Sequence, residues 1–189
     1  MIPQARLQAL TDGIFGFAMT LLVVNLALPM TLQSNAELIA AIRGLDGPLL
    51  AYIISFFVLG FRWVNQARDK EDPETAAGAY LWANLISLFF ITILPFSTMV
   101  LGRYEDFAAA IWVYSANMAA SGLASIAVSV TAERATGKRP KDTGRFALLV
   151  LIGTAILSVL VSFYSTRYAM YVYIINAFVP FVQRWGRLA

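Results

Sequence analysis

Apolar residues fall into six long runs divided by short polar breaks: about Leu10 to Pro29, Pro48 to Asn65, Ala79 to Leu101, Phe107 to Thr131, Phe146 to Tyr164 and Tyr168 to Val182. At about 1.5 Å of rise per residue the first five are long enough to cross a bilayer core of about 30 Å, and the sixth is the shortest. Backbone amides in hydrocarbon must be satisfied within the segment, and the two-residue alternation of a barrel strand is absent. The pattern therefore predicts an all-α integral membrane protein: six transmembrane helices forming one domain over residues 1–189. The longest polar break, Met30 to Gly47, holds a short amphipathic stretch, Ala36 to Leu45, with Ser34 or Asn35 placed to cap it.

The first run is unusually polar for an anchor, with Asp12, Thr11, Thr20, Gly13, Gly16 and Asn25. At about 100° per residue, Gly13, Phe17, Thr20, Leu21, Val24 and Leu28 share one helical face, and Asp12 points well away from it. That gives one apolar face bearing a single hydroxyl, and a separate ionisable group suited to internal bonding. An ionised carboxylate at membrane depth needs a partner or water. Arg6 lies on the same segment, and Trp63 and Asn65 close the second run on the same side. Asp12 thus has two readings: the centre of a hydrogen-bonded knot between the first two helices, or an interfacial carboxylate facing water. In the third run, Pro95 with Ser97 and Thr98 predicts a kink or an end to the helix. In the fourth, Ser121, Ser125 and Ser129 alternate by turns with Ala116, Ala120 and Ala124, a small-residue pattern that lets backbones approach closely. The amides of Asn84, Asn117 and Asn176, at membrane depth, predict interhelical hydrogen bonds.

Composition narrows the function. With 59% apolar and only 13% charged residues, the chain is no ordinary soluble globule. It has neither cysteine nor histidine, which removes disulfides, thiolate metal sites and the usual proton shuttle. No paired carboxylates lie inside the runs, so acid–base enzymology lacks its parts, and no cofactor is expected. The first apolar run is too long for the core of a cleavable signal peptide. The net charge of +3 would suit nucleic acid if read alone, but its distribution is a topology signal. Eleven of the 14 Lys and Arg fall on one side: Arg6; Arg62, Arg68 and Lys70; Arg134, Lys138, Arg139, Lys141 and Arg145; Arg184 and Arg187. Arg43, Arg103 and Arg167 lie on the other. The positive-inside rule puts both termini in the cytoplasm, and no nucleic-acid partner is expected.

Arg6-x-x-x-Leu10-Thr11-Asp12, followed by Gly13, resembles the Arg-x-x-x-Phe-Ser-Asp signature of the transmembrane protein 175 family, the potassium-permeable channels of endolysosomes and their single-repeat bacterial relatives. Trp63-Val64-Asn65 is similar to that family's Trp-x-Asn-His-His stretch, with Gln66-Ala67 in place of the histidines. Leu81-Trp82-Ala83-Asn84-Leu85, running on to Leu94-Pro95-Phe96-Ser97-Thr98, resembles its third helix, and Asn117 matches a frequent asparagine of the fourth. The likeness covers roughly the first two thirds of the chain.

The resemblance implies a homotetramer in the bacterial cell membrane, with four copies of the first helix around an axis and potassium ions, transiently in the pore, as the only metal. It implies an ion path lined by Phe17, Thr20, Leu21, Val24 and Leu28, with the hydrophobic constriction at Phe17, where the family carries isoleucine. It also implies a network at the inner mouth made by Arg6, Thr11, Asp12, Trp63 and Asn65. Aliphatic rings gate by excluding water, and a Thr-Val-Gly-Tyr-Gly carbonyl filter is absent from the sequence. The competing function is an ion-coupled or proton-permeable transporter, against which counts the lack of ionisable groups other than tyrosine at the midplane.

Overall fold

The computed structural model describes residues 1–67, 73–137, 142–176 and 178–179. Seven of the cationic positions in the topology argument, Arg68, Lys70, Lys138, Arg139, Lys141, Arg184 and Arg187, lie outside the described residues, as do 177 and 180–182 of the sixth run.

The described chain is helical apart from one minimal strand pair. The helices are α1 (Gln4–Val24), α2 (Asn35–Arg43), α3 (Asp46–Ala67), α4 (Gly78–Arg103), α5 (Ala108–Thr136), α6 (Asp142–Ser162) and α7 (Thr166–Tyr171), the last followed by a 3-10 turn over Val172–Ile174. Strands β1 (Ile2–Pro3) and β2 (Thr75–Ala76) pair antiparallel, Ile2 opposite Ala76 and Pro3 opposite Thr75. Among the described residues five helices, α1, α3, α4, α5 and α6, are long and apolar enough to cross a membrane. In the described part of the sixth predicted run, α7 passes into its 3-10 turn, and residues 175–176 and 178–179 are helical again.

Burial explains the order of packing. Helix α4 is buried on the most sides, touching α1, α3 and α5, and it continues through Pro95 to Arg103, so the predicted end at that proline does not occur. A membrane helix tolerates proline when nearby groups satisfy its backbone. Pro95 withholds an N–H from Ile91 O, and around it extra donors reach the carbonyls of the same turn: the Ser97 and Thr98 hydroxyls donate to Leu94 O at 3.0 and 2.8 Å, and Asn25 Nδ2 donates to Pro95 O at 2.9 Å. The apolar core runs from Phe15 and Leu22 of α1 through Leu59 of α3 and Ile91 of α4 to Ile111 and Met118 of α5, Leu151 of α6 and Tyr173. Tyr114 and Tyr173 meet edge to face, centroids 4.9 Å apart, and both are buried.

Two glycines lie where helices pack closely on one another. A Cβ on Gly102 would lie 2.7 Å from Pro48 Cα, and one on Gly122 would lie 2.8 Å from Ile152 Cγ1. Glycine therefore holds the α3–α4 and α5–α6 contacts. Helix α5 runs past Thr131 to Thr136 and ends on Gly137 at φ 69°, whose N–H returns to Glu133 O at 2.8 Å. Helix α2 starts at Ser34, whose Oγ accepts the Glu37 N–H at 3.2 Å while Glu37 Oε2 accepts the Gln33 N–H at 2.8 Å.

Candidate functional site: the first helix and its anchors

Helix α1 has two opposite faces. Leu7, Thr11, Phe15, Ala18 and Leu22, at steps of three and four residues, are buried against α3 and α4. On the other side Phe17 is 74% exposed, Leu21 51% and Val24 67%, and Thr20 is exposed with them. No described residue packs within 4 Å of the Cβ positions of Gly13 or Gly16, so this surface is open in the single chain. Thr20 Oγ1 donates to Phe17 O at 2.9 Å. Its proton is spent on the helix, and the oxygen lone pairs are left facing outward.

Leu28 does not share that face. Helix α1 stops at Val24, because the Asn25 N–H turns back to Leu22 O at 3.3 Å and its side chain goes to Pro95. Leu28, also exposed, lies beyond the helix and next to Pro29, which disfavours helical backbone at the residue before it. A wheel drawn through the whole apolar run counts it as helical because nothing in hydropathy marks the stop.

At the start of α1 the contacts are polar. Trp63 Nε1 donates to Asp12 Oδ1 at 2.8 Å, joining the end of α3 to the third turn of α1. The other members proposed for this network sit differently. Thr11 is buried and donates to Leu7 O at 2.9 Å within its own helix. Arg6 is exposed and Asn65 half-buried, and among the described residues neither bonds Asp12. A cleft of about 20 Å³, room for about one water, lies beside them, lined by Gln8, Asp12, Trp63, Gln66, Tyr80 and Asn84 among others. Among the described residues no group of three or more carboxylates could hold a metal.

The base of α1 has a second anchor that the sequence did not disclose. Pro3, which has no N–H, pairs opposite Thr75, and the next amide, that of Gln4, donates to Glu74 O at 3.1 Å. Gln4 Nε2 reaches Tyr80 Oη at 3.0 Å, and Leu7, Ala76 and Tyr80 form a small buried apolar cluster beneath it. Hydropathy does not report such a tie, since two-residue strands carry no period.

The larger polar feature lies between α3, α4 and α5. Thr98 Oγ1, whose proton goes to Leu94 O, lies 2.9 Å from Ser55 Oγ, and Ser55 Oγ and Tyr114 Oη are 2.9 Å apart. Asn117 Nδ2 donates across helices to Ser97 Oγ at 3.1 Å, and Asn176 Nδ2 to Thr154 Oγ1 at 2.9 Å. Asn84, by contrast, donates to Tyr80 O at 2.9 Å on its own helix, not to a neighbour, because Tyr80 lies one turn back on the same face. Further along α5, Arg62 bonds Ser121 Oγ and donates to Ser125 Oγ at 2.7 Å, and Ser125 Oγ lies 3.1 Å from Ser87 Oγ of α4. Arg62, counted from sequence among the charges of the cytoplasmic side, sits within α3, half-buried, with its guanidinium turned to α5. The serines read as spacers are its acceptors, and Ser129 accepts Arg145 Nε at 3.0 Å. The signal was present as a four-residue serine ladder opposite a lone cation in an apolar run.

A family model described as the endosomal/lysosomal potassium channel TMEM175 matches residues 6–95. A potassium channel of Streptomyces collinus is 32% identical over 128 residues, 66% of this chain and 62% of that protein. One from a Chryseobacterium species is 30% identical over 99 residues, covering 52% of this chain and 49% of that protein, and one from Chamaesiphon minutus is 30% identical over 100 residues with the same coverage. The chain thus spans about half to three fifths of the length of these relatives. The crystal structure of a Chamaesiphon minutus homologue of the lysosomal potassium-selective channel TMEM175 superposes with a TM-score of 0.79 at 23% identity, over 94% of this chain and 96% of that one. The matched stretch holds the Arg6-to-Asp12 segment, Trp63 and Pro95, so the first half of this membrane protein resembles the TMEM175 family, and the fold of the Chamaesiphon minutus homologue is shared over nearly all of the chain.

Proposed function

We propose that the protein is a potassium-permeable cation channel of the bacterial cell membrane, a homotetramer in which four copies of α1 line the path. Both termini are cytoplasmic, and the sixth predicted run, from about Tyr168 to Val182, completes a six-span chain. The observation that carries this reading is the uncovered face of α1: Phe17, Leu21 and Val24 stand exposed with Thr20 among them, opposite the stripe that packs into the bundle. One chain has no room to enclose a path, so a closed ring of copies is needed. Phe17 rings form the constriction and exclude water when narrow, favouring the cation that sheds its hydration at lower cost. Thr20 presents hydroxyl oxygens just beyond it, with the proton already donated to the backbone. Leu28, beyond the helix end, lies at the outer mouth. The Asp12–Trp63 bond and the β1–β2 tie hold the inner end of α1.

The absence of cysteine makes the test clean. Single cysteines at Phe17, Leu21 and Val24 are expected to react with a charged, membrane-impermeant thiol reagent and to block rubidium flux into proteoliposomes. A cysteine at Leu149 on the exposed side of α6 serves as the lipid-facing control. Flux that survives modification at all three α1 positions, or saturates and requires a co-solute, overturns the reading in favour of a carrier.

A further inference from the structure

Arg62 is a cation among the helices for which the proposed ion path has no use. Its guanidinium sits among Ser121 Oγ, Ser125 Oγ at 2.7 Å and Ser121 O at 3.5 Å, all neutral oxygens of α5. Among the described residues no carboxylate pairs with it; the ion pair described there is Arg145–Glu133, 2.7 Å. A half-buried cation held by neutral groups is a poor device for stability, since an apolar side chain of similar length often serves as well. What it provides is register: a rigid fork that fits two hydroxyls one helical turn apart. Ser125 carries the same connection on to Ser87 of α4.

The neighbouring residue is Trp63. Consecutive residues on a helix point about 100° apart, so Arg62 faces α5 while Trp63 faces α1, where it donates to Asp12 at 2.8 Å. Ser87, Ser125, Arg62, Trp63 and Asp12 thus connect α4, α5, α3 and α1 in one continuous chain of contacts. We infer that Arg62 is a positioning residue for α1: it fixes the rotation and height of α3 on α5 so that the Trp63 indole meets Asp12 and holds the inner end of the proposed pore helix. This rests on the channel reading for its consequence in flux, but not for its consequence at Trp63.

The test compares R62M, S121A/S125A, R62K and D12N in the full-length protein carrying Trp63 as its only tryptophan, through W82F, W112F and W185F. Trp63 emission, rubidium flux in proteoliposomes and thermal unfolding in detergent are read on each. R62M is expected to unfold at or above the parent temperature, yet to shift Trp63 emission as D12N does and to change flux at least fivefold in the direction that D12N does. The R62M/D12N double variant is expected to add nothing to either single change. S121A/S125A, which keeps the cation, is expected to follow R62M, and R62K to recover part of the parent emission. Parent-like Trp63 emission in both R62M and S121A/S125A overturns the inference, as does full additivity with D12N. If R62M fails to fold, S121A/S125A decides alone. A parent protein that conducts no rubidium sinks the channel reading, and Trp63 emission still decides the positioning role.

Discussion

Helix α1 and the α4–α5 pair are built from much the same apolar alphabet and are put to opposite use. On α5 the side chains facing the bundle are partly polar, Tyr114, Asn117, Ser121 and Ser125, and they are matched by hydroxyls of α4 and by Ser55 and Arg62 of α3. On α1 the side facing the bundle is apolar except for Thr11, and the polar Thr20 is on the open side. Hydrocarbon gives no drive to bury apolar groups between helices, so small and polar residues mark where helices are fixed to one another. The α4–α5 seam is therefore a frame. Helix α1 is attached to that frame at discrete points: β1–β2 at its start, Asp12–Trp63 near its base and Asn25–Pro95 at its end. The contrast is between a part that must not move and a part with one side left for something else.

Truncation at the frame is expected to give the largest effect. Tyr114→Ala removes a buried ring that packs on Tyr173 and leaves Ser55 without its phenol, and should cost about 3–5 kcal/mol in unfolding free energy. Thermal denaturation in detergent checks this, and a loss under about 1 kcal/mol would deny the seam its role. Next comes the open side. Phe17→Ala is expected to raise rubidium flux roughly tenfold, a barrier change of about 1.4 kcal/mol, with little change in melting temperature because the ring is 74% exposed. A fall in melting temperature with unchanged flux would mean that the two regions do not differ as argued.

Smaller effects sharpen the boundary between them. Thr98→Val deletes a hydroxyl that serves both Ser55 and Leu94, and is expected to cost about 0.6–1.7 kcal/mol, the range of interhelical bonds in membranes. Asn25→Leu frees the end of α1 from Pro95 O and is expected to cost about 0.6 kcal/mol. Backbone hydrogen exchange after that change should rise over the last turn of α1 and not in α4.

The likeness of Arg6-to-Asp12 to the TMEM175 signature was legible because it depends on local residue types, whereas the meeting of Asp12 with Trp63 was one of two readings that residue types left open, the other being a carboxylate facing water. Arg62 was not legible, since a cation near the end of a run reads equally as the first residue of a loop. Asn84 and Asn117 look alike in sequence and differ in partner, because the choice between a carbonyl one turn back and a hydroxyl across the interface depends on the rotation of the helix.

By itself the sequence determined that the chain is helical and membrane-embedded, for apolar run length and the need to satisfy amides in hydrocarbon leave no other form. It also determined the apolar stripe with one hydroxyl on α1, since helical period alone groups Phe17, Thr20 and Val24. Only the tertiary structure decided that this stripe is the side left open, that α1 ends before Leu28, and that Arg62 bonds across to α5. Each of these depends on which neighbour a helix turns toward, and that is set by side chains from distant runs meeting in three dimensions.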